Sequence, residues 1–260
     1  MEIATWNING IKARLDNLLE WLDDVKPDIC CLQETKSRDE AFPVDAIGEL
    51  GYNVAVHGQK SFNGVAVLSK LPFDEIENRL PGNSNDDQAR YLETVISTRS
   101  GALRVASLYL PNGNPVDSAK FSYKLSWMDR LCAQAAANLR FEEKFILAGD
   151  YNIIPEADDA RDPEAWQGDA LFHAQSRAKF RRLLNLGFSD ALRACTADAG
   201  CYTFWDYQAG AWRKNNGIRI DHILLSPQAG DGLKSCRIDK RTRGWDRPSD
   251  HVPVMIAIDG

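Results

Sequence analysis

The 260-residue chain has only four histidines and three methionines, and none of its six cysteines forms a Cys-x-x-Cys pair. Tetrahedral zinc sites draw on such pairs or on clustered histidines, so zinc is disfavoured. Adjacent Cys30 and Cys31 sit inside an apolar run, and the cysteines are expected to be reduced core residues of a cytoplasmic protein. No uninterrupted apolar run is long enough to span a bilayer, and a strand is expected within the first few residues, where a secretory leader would need its own apolar stretch. Excess positive charge is missing as well: Asp and Glu outnumber Lys and Arg by 37 to 31. A protein that coats nucleic acid by bulk charge is therefore not expected. There is no low-complexity stretch, linker or obvious repeat, and the length fits one large domain over residues 1–260.

What the chain does have is a set of apolar runs that end abruptly in polar residues. Phe145-Ile146-Leu147-Ala148 stops at Gly149-Asp150-Tyr151-Asn152, and a short apolar run bounded by glycine predicts a buried strand. Asp150 can accept a proton from water, and Asn152, two residues on, can donate to an anionic oxygen. Similar endings recur. Glu2–Trp6 runs into Asn7-Ile8-Asn9-Gly10, Ile29–Leu32 into Gln33-Glu34-Thr35-Lys36, and Leu103–Leu110 into Pro111-Asn112-Gly113. Ile218–Leu225 carries Asp221, and Ser249-Asp250-His251 precedes a last strand at Val252–Ile258.

Helices are predicted where apolar residues recur at helical spacing: Ile11–Leu22, Asp117–Arg140 behind Asp117 or Ser118 as N-cap, and Ala174–Leu186 stopped by Gly187. Alternation predicts strand pairs at Val54–Lys60 with Gly64–Ser69 and at Tyr91–Ser97 with Leu103–Leu110, and a further strand at Tyr202–Trp205. Pro155–Asp169 is acidic and reads as irregular, whereas Arg177–Arg182 and Arg237–Arg247 are basic islands, either a positive rim around the site or solvated surface. Helices alternating with paired strands point to a layered α/β sandwich with mixed sheets.

The polar residues at these strand ends are Asn7, Glu34, Tyr109, Asp150, Asn152, Asp221, Asp250 and His251. Carboxylate and amide oxygens favour a hard cation such as Mg²⁺ or Mn²⁺. Each residue also has an ordinary reading: a turn cap for Asn7, a core tyrosine for Tyr109, and a partner for Arg219 in Asp221.

Trp6-Asn7-Ile8-Asn9-Gly10, Leu32-Gln33-Glu34-Thr35-Lys36, Tyr109-Leu110-Pro111-Asn112-Gly113, Gly149-Asp150-Tyr151-Asn152-Ile153, Arg219-Ile220-Asp221 and Ser249-Asp250-His251-Val252-Pro253 resemble, in order and spacing, the exonuclease III family of apurinic/apyrimidinic (AP) endonucleases. His57-Gly58-Gln59-Lys60 is similar to the bacterial branch. The resemblance implies a four-layered α/β sandwich with two facing mixed β-sheets, and a Mg²⁺-dependent DNA repair nuclease (Mn²⁺ as substitute) that acts on double-stranded DNA with abasic sites or 3′ ends; a monomer is the default expectation. It also assigns roles. Glu34 would be the principal metal ligand, with Asn7 and Asp250 beside it. Asp150 would deprotonate the water, Asn152, Tyr109 and His251 would hold phosphate oxygens, and Asp221 would orient His251. Lys36, Lys60, Arg90 and Asn112 would meet the DNA phosphates, and Phe204, Ile218 and Ile220 would form the abasic pocket. The chain departs from the family at Ile218, where some relatives carry a bulkier aromatic, and at the long acidic stretch Pro155–Asp169. Two other functions share the scaffold: hydrolysis of another phosphoester, and RNA binding without catalysis.

Overall fold

The computed structural model describes residues 1–259. Twelve strands fall into two six-stranded sheets. In chain order they are β1 (Glu2–Asn7), β2 (Ile29–Gln33), β3 (Asn53–His57), β4 (Val65–Ser69), β5 (Glu75–Glu77), β6 (Tyr91–Thr98), β7 (Gly101–Tyr109), β8 (Lys144–Asp150), β9 (Ser189–Asp190), β10 (Asp221–Leu225), β11 (Leu233–Ile238) and β12 (Val254–Ile258). The helices are α1 (Leu15–Val25), α2 (Val44–Gly48), α3 (Ala119–Leu139), α4 (Ala174–Asn185), α5 (Ala191–Cys195) and α6 (Pro227–Gly230). One sheet has the order β11-β12-β1-β2-β4-β3 and the other β5-β6-β7-β8-β10-β9. Each holds one parallel pair, β1 with β2 and β7 with β8, among antiparallel neighbours.

Three apolar layers join the parts. Ile3, Ile29, Val65, Leu92, Val105 and Ile146 come from both sheets and fill the space between them. The outer face of the second sheet packs on α3 and α4 through Met128, Leu131, Phe180 and Leu183. The outer face of the first packs on α1 and α2 through Leu18, Trp21, Leu22 and Ile47. The result is the α/β sandwich of four layers that the sequence resemblance implies. Strands buried on both faces explain the near-continuous apolar runs of β2, β4 and β8.

Several predicted boundaries shift. The first helix begins as a 3-10 turn at Ile11–Ala13, and α1 continues to Val25, where Lys26 takes a left-handed conformation before Pro27. Ser118, not Asp117, caps α3, accepting from Lys120 N at 3.2 Å. Tyr202–Trp205 and Ile218–Ile220 are not strands: they form only isolated bridges, Phe204 with Ile218 and with His251, and Ala160 with Ile218. Their amides are used elsewhere, Arg219 N on Asp159 O and Ile220 N on Thr203 Oγ1. All six cysteines are free, but only Cys30, Cys31 and Cys132 are core; Cys195 is exposed at the end of a five-residue helix, and Cys201 and Cys236 are half-buried. No helix among the described residues is long and apolar enough to cross a membrane.

Candidate active site

In a parallel pair both strands finish at the same edge. The ends of β1, β2, β7 and β8 therefore meet on one side of the sandwich, together with the starts of β10 and β12. Asn7 is the last residue of β1, Glu34 follows β2, Tyr109 ends β7 and Asp150 ends β8. Asp150 is paired in register with both Tyr109 and Asp221. Gly149 makes this junction possible: a Cβ there would lie 1.9 Å from the Leu108 carbonyl oxygen. That is the physical content of the Gly-Asp pair in the sequence.

Asp150 is 1% exposed and is held from several sides. Asn7 Nδ2 donates to Asp150 Oδ2 at 2.9 Å and to Glu34 Oε1 at 3.0 Å, so one amide bridges the two carboxylates across the sheets. Asn152 N donates to Asp150 Oδ1 at 2.8 Å, and Asn152 Nδ2 to Leu110 O at 2.9 Å. His251 Nδ1 lies 2.9 Å from Asp221 Oδ2, and its Nε2 lies 3.8 Å from Asp150 Oδ2. Glu34, Lys36 and Asn152 all have positive φ, at 50°, 52° and 48°. Left-handed backbone at non-glycine residues costs about 1–2 kcal/mol each. Such strain gathers where function fixes a side chain.

Burial sets the titration of the cluster. Asp150 is pushed up to about 7: burial raises it most, the His251 charge pulls it down, and Asp221 and Glu34 add to the rise. Burial pulls His251 down, but the Asp221 carboxylate outweighs it and the imidazole is raised to about 10, hence a cation at neutral pH. Glu34 is lowered: burial acts against this, and Lys36 and the Asn7 amide overcome it. Burial first, and then the Glu34 and Asp150 charges, keep the Tyr109 phenol protonated as a donor.

Glu34, Asp150 and His251 each offer a ligand atom within 4.8 Å of the others. A protonated His251 committed to Asp221 is a poor ligand, which leaves the carboxylate oxygens as the donor set. Oxygen donors fit a hard divalent cation, and the Lys36 ammonium, 2.8 Å from Glu34 Oε2, already places positive charge there. Asn7 Oδ1 accepts from Asn9 N at 3.0 Å. Asp250 borders the cavity beside this cluster, its Oδ1 accepting from Asn9 Nδ2 at 2.9 Å.

The cluster forms one wall of a cavity of about 300 Å³ whose other walls include Phe204, Ile220, Trp166, Leu171, Asn112, Asn114, Asp169 and Asp206. Ile218 packs behind Phe204 and Ile220 in the same apolar cluster rather than bordering the cavity. Of the predicted DNA contacts, Asn112 is at the cavity rim, its Nδ2 donating to Asn152 Oδ1 at 3.3 Å. Arg90 stacks over the Tyr109 ring at 4.9 Å and borders a neighbouring groove with Phe62, Asn112, Asn114 and Lys120. Lys60 is exposed on the loop between β3 and β4. In the basic islands Arg177 pairs with Glu156, Arg182 with Asp129, Arg237 with Glu2 and Arg241 with Asp239, while Arg243 stacks over the Tyr207 ring at 5.1 Å.

Sequence reasoning missed Trp166, Leu171, Asn114 and Asp169, which come from the stretch read as irregular or from a loop. It also missed Lys124, wholly buried beneath the site, whose Nζ donates to Asn112 O at 3.0 Å and Asn152 O at 2.6 Å. The signal for Lys124 was its position three residues after Phe121, on the apolar stripe of α3.

A family model described as the Endonuclease/Exonuclease/phosphatase family matches residues 4–251. An exodeoxyribonuclease III of Haemophilus influenzae is 32% identical over 262 residues, covering 98% of this chain and 98% of its own. A 3′ phosphatase from Neisseria, NExo, solved bound to a product DNA hairpin, superposes with a TM-score of 0.96 at 36% identity, covering 100% of both chains. An AP endonuclease from Archaeoglobus fulgidus superposes with a TM-score of 0.95 at 34% identity, again covering 100% of both.

Proposed function

The chain belongs to the endonuclease/exonuclease/phosphatase family, in its exonuclease III group, and we propose that it is a Mg²⁺-dependent DNA repair nuclease, one catalytic domain working as a monomer in the cytoplasm. It hydrolyses the phosphodiester 5′ to abasic sites and removes nucleotides or blocking groups from 3′ ends. The observation that carries this reading is Asp150: a buried carboxylate with a pKa of about 7, between a second carboxylate and an imidazolium, at the edge of a cavity with one polar and one apolar wall.

Glu34 would be the principal ligand of Mg²⁺, or of Mn²⁺ in its place, with Asn7 and Asp250 completing the set directly or through water. When bound, the cation would stabilise negative charge on the phosphoryl oxygens and favour ionised Asp150. Asp150 takes a proton from the attacking water, and a base whose pKa lies near the working pH is well matched to that task. The water oxygen bonds to phosphorus and the bond to the 3′ oxygen breaks with its electron pair going to that oxygen, which takes a proton from solvent, leaving a 3′-hydroxyl and a 5′-phosphate. His251, Asn152 and Tyr109 donate to the non-bridging oxygens as charge develops there. Asp221 keeps His251 protonated and turned. Lys36, Lys60, Arg90 and Asn112 hold the flanking phosphates. Phe204 and Ile220, backed by Ile218, receive an extruded sugar, which costs less to unstack when it carries no base.

The test is incision of an end-labelled duplex carrying one abasic-site analogue, beside an intact duplex, with Mg²⁺ or with chelator. A Mg²⁺-dependent cut at the lesion, together with trimming from 3′ ends, is the expected result. No cleavage of either duplex by folded protein with several divalent cations would overturn the reading.

A further inference from the structure

The acidic stretch between β8 and α4 is a braced wall. It holds two 3-10 turns, Ala157–Asp159 and Pro163–Trp166. At its start Asp159, 0% exposed, accepts from Arg219 Nε and Arg193 Nη2, both at 2.6 Å. In its middle Arg161 N donates to Gly217 O at 3.0 Å, and Ala160 bridges to Ile218. At its end Asn114 Nδ2 donates to both carboxylate oxygens of Asp169 at 3.0 and 3.1 Å, while Asn114 Oδ1 accepts from Ala170 N at 3.0 Å. These ties connect the stretch to α5 and the segment before β10 on one side and to the loop after β7 on the other.

Held in this way, Trp166 packs on the apolar group formed by Ile154, Leu171, Ile218 and Ile220, and Phe204 packs on the same group. The rings of Trp166 and Phe204, with Leu171 and Ile220, border the cavity whose polar wall holds Asp150, Asn152 and His251. A sugar whose phosphate lies against the polar wall must place its C1′ side among these apolar groups. We propose that Trp166 is a specificity-determining residue: its indole narrows this slot so that a deoxyribose without a base is accepted and one carrying a base is turned away. The inference rests on the nuclease reading above and adds a residue that sets the balance between abasic-site incision and removal of intact 3′ nucleotides.

The experiment compares Trp166→Ala and Trp166→Phe with wild type on two substrates under one condition: a duplex with a single tetrahydrofuran abasic analogue, and an undamaged duplex with a recessed 3′ end. The quantity read is the ratio of the two kcat/KM values, in which any loss of folded protein cancels. Differences of apolar contact in a pocket discriminate substrates by roughly 10–200-fold, and Trp166→Ala is expected to lower the abasic-to-undamaged ratio by about tenfold, at the bottom of that range. Trp166→Phe, which keeps an aromatic wall, should stay near the wild-type ratio. An unchanged ratio in Trp166→Ala, or equal losses on both substrates, would overturn the inference and leave Trp166 as a brace. Wild-type protein that cuts neither duplex would overturn the nuclease reading and this one with it, an outcome distinct from a cutting enzyme whose ratio ignores Trp166.

Discussion

Asp150 has the position of a good base and of a poor contributor to stability. Its folded pKa of about 7 lies above the ordinary 3.8, so the folded state binds its proton more tightly than the unfolded state. The stability from that proton is present below about 4 and is lost as pH rises towards about 7. Asp150→Asn removes the loss. Without metal, the variant should be more stable than wild type at pH 8, by up to about 4 kcal/mol, and closer to it at pH 4, while turnover falls about a thousandfold or more. Thermal melts in chelator at the two pH values check this; a variant equally or less stable at pH 8 would remove Asp150 as the strained group. Lys124 stabilises the site from below, and its aliphatic stem lies where a Cβ on Gly113 would come within 2.6 Å. Lys124→Met leaves the buried Asn152 carbonyl without its donor, at roughly 1–3 kcal/mol, and frees the partly buried Asn112 carbonyl as well. We expect a lower melting temperature and a drop in kcat with little change in KM, because Asn152 loses its footing while the phosphate contacts of Lys36, Lys60 and Arg90 remain; a KM effect alone would count against it. Asp150 and Asn152 were legible because a polar pair stood at the end of an apolar run. Lys124 was not, because a lysine on a helix normally reads as solvated, and only burial of the whole stripe reverses that.

The legible elements are those that the sandwich buries on two faces: β1, β2, β4, β7 and β8 announce themselves as apolar runs, and α3 and α4 as periodic stripes. The strands that were missed, β5, β9 and β11, are sheet edges, short or polar, where packing asks little of the side chains. The acidic wall was legible only as composition. Its order comes from charge pairing across the fold, with Arg219 Nη1 also donating to Asp190 Oδ2 at 2.7 Å. Burial works against ionising Asp159, but hydrogen bonds and charge from Arg219 and Arg193 hold its pKa below the usual carboxylate value. With a lowered folded pKa, its contribution is present above the unfolded value near 4 and is lost as pH falls through the folded value. Arg219→Ala should cost about 3–5 kcal/mol, as expected when a buried pair loses one partner. Asp159→Asn should destabilise at pH 7 and flatten the acid limb of a stability profile. Urea melts between pH 3 and pH 7 test both, and an acid limb unchanged in Asp159→Asn would show that this network does not set acid stability.

A chain of net charge -6 that works on a polyanion must confine its attraction to a path. Four arginines of the basic islands, Arg177, Arg182, Arg237 and Arg241, are already paired with Glu156, Asp129, Glu2 and Asp239 and do not supply that path unaided. Near the cavity Lys36 sits on Glu34 and Arg90 over Tyr109, with Lys120 beside Arg90 in the neighbouring groove, and Lys60 is exposed on the loop after β3. Binding should then depend on salt only modestly. Each neutralised phosphate contributes about -0.9 to the slope of log K against log salt, so three contacts give a slope of about -3. Asp150→Asn protein in chelator allows this to be read by fluorescence anisotropy on an abasic duplex without turnover. Lys60→Ala and Arg90→Ala should each reduce the magnitude of the slope by about 1, and weaken abasic and intact duplexes alike, since phosphates carry no information about the lesion. A steep slope that survives both substitutions would move the DNA path off the rim of the cavity and towards the paired arginines, whose carboxylate partners would then have to be displaced on binding.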